Sequence, residues 1–141
     1  MPGWQLAQMN VAQARWPTDQ PEMADFISQI AAINAAAEAS PGYVWTLTED
    51  SGEPQMLVNI SVWESVEALK AFVYQSAHVG VFRDRARWFE TPTQANQVLW
   101  WVPAGHRPGY AEGWARLEML RTAGPSVEAF TFATGPFSEP Q

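Results

Sequence analysis

The chain has 141 residues, 47% of them hydrophobic, no cysteine and a formal net charge of −7. One domain of this size buries about 68–70% of its unfolded surface. The apolar content excludes disorder, and the lack of cysteine excludes disulfides, thiolate nucleophiles, zinc fingers and iron–sulfur clusters. The acidic balance is wrong for nucleic acid and for anionic membranes, so a small molecule or a protein partner is expected. There is no apolar run of roughly 18 residues and no secretory signal pattern, which points to a cytoplasmic protein.

Residues 3–11, GWQLAQMNV, alternate: Trp4, Leu6, Gln8 and Asn10 share one face, and Ala7, Met9 and Val11 the other. This is a first strand. In the turn-rich WPTDQPEM, Thr18 or Asp19 can cap a helix and Pro21 suits its first turn. Met23, Phe26, Ile27, Ile30, Ile33, Asn34 and Ala37 then recur at helical spacing, and SPG at 40–42 ends the helix. YVWTLT (43–48) and QMLVNISVW (55–63) form a hairpin across the turn cluster EDSGEP. In its second strand Met56, Val58, Ile60 and Val62 line one face, with Leu57, Asn59, Ser61 and Trp63 on the other.

ESVEALKAFVYQSA is helical, with Ser65 as cap and Val66, Leu69, Phe72 and Val73 as the buried stripe. The period pauses at His78 and resumes through Val79, Phe82, Ala86 and Phe89. QVLWWV (97–102) is a fourth strand, apolar on both faces. PAGHRPGYAEG leads into a last helix with Tyr110, Trp114, Leu117 and Leu120 in step, stopped by Gly124 and Pro125. AFTF (129–132) is a short extra strand or docking segment. Residues 1–132 form a single domain, and 133–141 form a loose tail.

The order β-α-β-β-α-β is the split βαβ of a ferredoxin-like α+β sandwich, with a C-terminal helix extension. An antiparallel sheet with one wet face alternates apolar with polar residues, whereas these strands are apolar on both faces. A second copy of the sheet is the simplest cover, which predicts a homodimer with sheets face to face.

The segments LAQMNVA, PGYVW, LVNISVWESVEALKAFVYQSAH, RARWFE and VLWWVPAGHRP carry a resemblance running from Leu6 to about Phe132. On these residues the chain resembles the bacterial family known as domain of unknown function 3291. By architecture that family is similar to the dimeric α+β-barrel superfamily, whose best-known branch is the antibiotic-biosynthesis-monooxygenase group. Other branches include haem-degrading monooxygenases and haem peroxidases. The resemblance implies a dimeric barrel with a pocket between helices and sheet in each subunit.

Eight Trp, seven Phe and three Tyr can line a pocket for flat ligands or fill a core. His78 can act as a general base or ligate haem iron, or simply bond the last carbonyls of its helix. Asn34, on the first helix's apolar stripe, is an expected catalytic partner. Asn10 and Asn59 sit inside strands, where Asn is depleted. With Trp63 and Trp4 they could form a polar cluster in an aromatic cavity, or a network that only sets strand register. Trp100, Trp88 and Tyr74 complete the aromatic candidates.

Arg83 and Arg87 share a helix face, and Arg85 points elsewhere. Local pairing competes with an anion clamp there, and Arg87 could stack on an indole. His106 and Arg107 in the GHRP loop are secondary candidates. No GxSxG, GxGxxG, P-loop, metal-ligand spacing or paired carboxylates are present.

The expected function is an oxidoreductase of antibiotic-biosynthesis-monooxygenase type, acting without a cofactor on an aromatic or polyketide-like molecule. An isomerase or cyclase on the same scaffold stands beside it. The alternatives are a haem protein with His78 as axial ligand and a non-catalytic ligand-binding module.

Overall fold

The computed structural model describes residues 3–48, 52–53, 55–74, 85–134 and 138–140. Along the chain run β1 (Trp4–Gln13), a 3-10 turn (Pro21–Met23), α1 (Ala24–Glu38), β2 (Tyr43–Thr46), β3 (Met56–Trp63) and α2 (Val66–Val73), followed by β4 (Gln97–Pro103) and α3 (Tyr110–Ala123). Residues 85–88 are also helical. The four strands form one sheet in the order β2-β3-β1-β4, every neighbouring pair antiparallel. That is the ferredoxin-like α+β arrangement expected from the element order.

Local chemistry sets the element ends. The Ser65 hydroxyl accepts from the Ala68 N–H at 3.1 Å and caps α2 as expected. α1 differs: neither Thr18 nor Asp19 caps it, and the Asp19 carboxylate accepts from Gln20 Nε2 instead. The 3-10 turn at Pro21 supplies the entry, with the Met23 N–H bonded to the Gln20 carbonyl at 3.0 Å. Gly124, at φ 83°, ends α3 in a conformation open mainly to glycine.

The alternation read from β1 holds. Leu6, Gln8 and Asn10 lie opposite Trp63, Ser61 and Asn59. This face carries α1 and α2, with Ile33, Ala37, Leu69 and Phe72 packed on Leu6, Trp63 and Leu99. A separate cluster on Ala14, Met23, Phe26 and Trp88 covers the far end of β1.

The other face bears Ala7, Met9, Val11, Ile60, Val62, Val98, Trp100 and Val102, each at most 4% exposed. What covers it is the chain's own α3, through Leu117 and Leu120 with Trp114 and Tyr110 alongside. The two-faced apolar strands therefore do not by themselves require a second copy. The C-terminal extension supplies the cover, so a homodimer with sheets face to face does not follow from that patterning.

Two details hold this arrangement. At Gly113 an added Cβ would meet Met9 Sδ at 2.5 Å and Ile60 Cδ1 at 3.1 Å, so glycine lets α3 lie directly on the sheet. Beyond α3, Phe130 exchanges backbone hydrogen bonds with Leu99 at 2.7 and 2.9 Å. The AFTF segment thus docks along the outer edge of β4 and carries Phe130 round to the helix-bearing face. At Leu99 that edge is therefore already paired.

Gly113→Val forces α3 away from Met9, and overpacking of this kind costs about 1–3 kcal/mol. Urea unfolding should show that loss, while Gly109→Ala, with open space at its Cβ position, should show much less.

Candidate functional site

Between the two apolar clusters on the helix-bearing face runs a belt of polar side chains. Gln8, only 3% exposed, donates through Nε2 to Asn59 Oδ1 at 2.7 Å and to Ser61 Oγ at 2.9 Å. Trp63 Nε1 donates to the same hydroxyl at 2.9 Å. A serine hydroxyl can accept twice and still donate once, so Ser61 is the hub. Asn10 pairs in register with Asn59. It is exposed, and its side chain has no hydrogen-bond partner among the described residues. The expectation that Asn10, Asn59 and Trp63 share the helix-facing side is met. Gln8 and Ser61, which tie them together, were not among the candidates, although a Gln and a Ser at inward positions of apolar strands were the available signal.

Other expected site residues lie elsewhere. Trp63 and Trp100 occupy opposite faces of the sheet, opposite Leu6 and Ala7 respectively, so they cannot stack on one ligand. Trp63, Trp88 and Trp100 are each at most 1% exposed and belong to the core. Trp63 is held between Phe72 (stacked, centroids 5.2 Å apart) and the edge of Tyr43 at 5.5 Å. Among the described residues these tryptophans fill space rather than line an open cavity.

Asn34 is exposed on α1. The buried stripe runs through Met23, Phe26, Ile30, Ile33 and Ala37, and Asn34 is turned about 100° away from Ile33. Tyr74 is 66% exposed. His78 and Arg83 lie outside the described residues, and with His78 the haem alternative.

Arg87 reaches across to α1, where it binds the Asp25 carboxylate at 3.0 Å, and it lies 4.9 Å from the Trp88 ring centroid. The expected pairing and stacking are both present, but the acid comes from α1 rather than from the neighbouring turn. Trp88 Nε1 is buried with no hydrogen-bond partner among the described residues.

On the α3 face the GHRP loop meets a residue that sequence reading missed. Glu112, in the first turn of α3, accepts from Trp100 Nε1 at 2.9 Å and pairs with His106 Nε2 at 2.6 Å. Arg107 lies over the Trp45 ring at 5.3 Å. A carboxylate is favourable at a helix N-terminus, and here it also satisfies a buried indole. Glu112 was invisible as a candidate because its partners arrive from β4 and from a loop.

Two clefts open among the described residues. One, of about 850 Å³, lies at the end of β1 between the start of β3, residues 85–96 and Arg121 of α3. The other, of about 340 Å³, lies between the Ser40–Gly42 turn and α2. No cluster of three or more His, Asp or Glu side chains able to hold a metal occurs among the described residues. None of the described helices is long and apolar enough to cross a membrane.

This antiparallel α+β fold, with a polar belt under its helices, defines a class that sequence comparison narrows to a family. The chain belongs to the family described as domain of unknown function 3291 (DUF3291), whose sequence model matches residues 5–141. No functionally curated protein matches it.

Among solved structures it is similar to SnoaB, a cofactor-independent oxygenase of Streptomyces nogalater (16% identity, TM-score 0.50, covering 79% of this chain and 100% of that one). It is also similar to a Nitrosomonas europaea protein provisionally named an antibiotic biosynthesis monooxygenase (13%, TM-score 0.56, 77% and 98%). A third is Rv0793 of Mycobacterium tuberculosis (12%, TM-score 0.53, 75% and 98%). These likenesses show a shared antiparallel α+β fold. The neighbours are spanned almost whole, while about a fifth to a quarter of this chain lies outside the likeness.

Glu112→Ala strips the buried Trp100 indole of its acceptor, a change that costs about 1–3 kcal/mol. His106→Ala removes only a partly exposed pair and should cost under about 1 kcal/mol. Chemical unfolding of the two variants side by side checks this order.

Proposed function

We propose that the chain is a small-molecule enzyme of the antibiotic-biosynthesis-monooxygenase type, oxidising an electron-rich aromatic or polyketide-like substrate without a bound cofactor. The observation that carries this reading is the belt of Gln8, Asn59, Ser61 and Asn10 on an otherwise apolar, helix-covered face. The Asn10 side chain and Asn59 Nδ2 have no partner among the described residues. They are amide donors left available beside apolar surface.

Neutral donors beside apolar surface can stabilise an oxygen that gains negative charge, as a phenol does on losing its proton. Gln8 and Ser61 keep Asn59 in place. His78 takes the role of general base in this reading. Asn34 has none, because it lies on α1 outside the stripe of Ile33 and Ala37 that packs toward the sheet. A small organic substrate is the partner, and the fold's group supports a homodimer as part of the proposal. With α3 seated on the sheet's second face, such a dimer would use another surface.

Oxygen uptake with naphthohydroquinones, in the presence of a chelator and without added flavin or haemin, tests the reading. Turnover is expected. Asn10→Leu and Asn59→Leu should each lower kcat/KM about tenfold or more, the effect of losing one hydrogen bond to a developing charge. His78→Ala should lower kcat/KM and remove the fall in rate toward acid pH that protonation of a general base produces. Unchanged kcat/KM in both asparagine variants would remove the assignment, and binding without oxygen uptake would leave a ligand-binding module.

A further inference from the structure

Just beyond the belt, the cleft of about 850 Å³ at the end of β1 has its own chemistry. Its apolar lining includes Val11 and Met56, which point to the α3 side of the sheet, and Phe89. Arg121, from the last turn of α3, enters from one wall.

Its guanidinium is half-buried and is held through Nε on the Ala95 carbonyl at 2.8 Å. The two terminal nitrogens have no partner among the described residues. One anchored nitrogen with the rest of the fork open is a preorganised receptor for a planar anion. Arg85 and Glu90 also line the cleft among the described residues.

We infer that this cleft is a second binding site, for a small organic carboxylate with an apolar body, whose carboxylate meets Arg121 and whose body covers Val11, Met56 and Phe89. A carboxylate fits better than a phosphate dianion: its two oxygens match the open fork of Arg121, and Glu90 in the lining opposes a second negative charge. The cleft lies mainly on the α3 side, so this inference stands independently of the oxygenase reading.

Calorimetric titration with 2-naphthoate, beside its neutral analogue naphthalene-2-carboxamide, tests it. The acid should bind at least about tenfold more tightly than the amide, since a charged hydrogen bond is lost. Arg121→Gln should erase that difference, Thr93→Trp should obstruct the cleft and weaken both ligands, and Gln8→Leu should change neither. Thermal melting of each variant distinguishes lost binding from lost folding, and Arg121→Lys should recover part of the preference if the first variant is unstable. Equal affinity for acid and amide, no binding at millimolar concentration, or binding lost in Gln8→Leu but kept in Arg121→Gln would each overturn the site.

Discussion

β1 is hydrogen-bonded along both edges and buried on both faces, and this double constraint governs the rest of the molecule. Leu6, Ala7, Gln8 and Met9 are four consecutive residues at most 3% exposed. Three of them need only apolar cover. Gln8 brings a buried amide that must be paired, and Asn59 and Ser61 on β3 receive it. A slip of one residue would turn Gln8 toward the α3 side and expel Met9 to the helix side. The hydrogen bonds of Gln8 and the packing of Met9 therefore select the same register, and the positions of β3 and its neighbours follow from it.

The second face explains the C-terminal third of the chain. Apolar area there would be left wet by βαββαβ alone, and α3 removes it at the one place where a glycine, Gly113, permits close approach. The same helix brings Glu112 under Trp100 and Arg121 into the cleft at the sheet end. One structural requirement has thus placed charged groups that would otherwise have no tertiary partners. The division also separates two chemistries: neutral amides on the helix-bearing side, and a carboxylate–imidazole pair and a guanidinium on the other.

Tryptophan abundance has two physical meanings, large flat cover for a core or walls for a ligand, and sequence does not distinguish them. Trp63, Trp88 and Trp100 turn out to be core. Trp45 lies under Arg107, and Trp63 and Trp100 also hold polar partners through their indole nitrogens. The Trp88 nitrogen, buried and without a partner among the described residues, is the exception.

Period-two and period-3.6 patterning sufficed for the order of the described elements and for the faces of β1 and β3, because side-chain direction along a strand or helix is a local property of the backbone. Ser65 as a cap and Gly124 as a stop were legible for the same reason. Whether α3 or another chain covers the sheet was not legible, since the same apolar stripe suits either cover. Asn34 was misplaced because a helical stripe is wide enough for its neighbour Ile33 to be the buried one. Glu112 beside His106, Asp25 beside Arg87, and Gln8 between Asn59 and Ser61 depend on elements that meet only in three dimensions. Local pattern could name the candidate polar groups, but which of them touch was decided by how α3 and α1 pack on the two sides of β1.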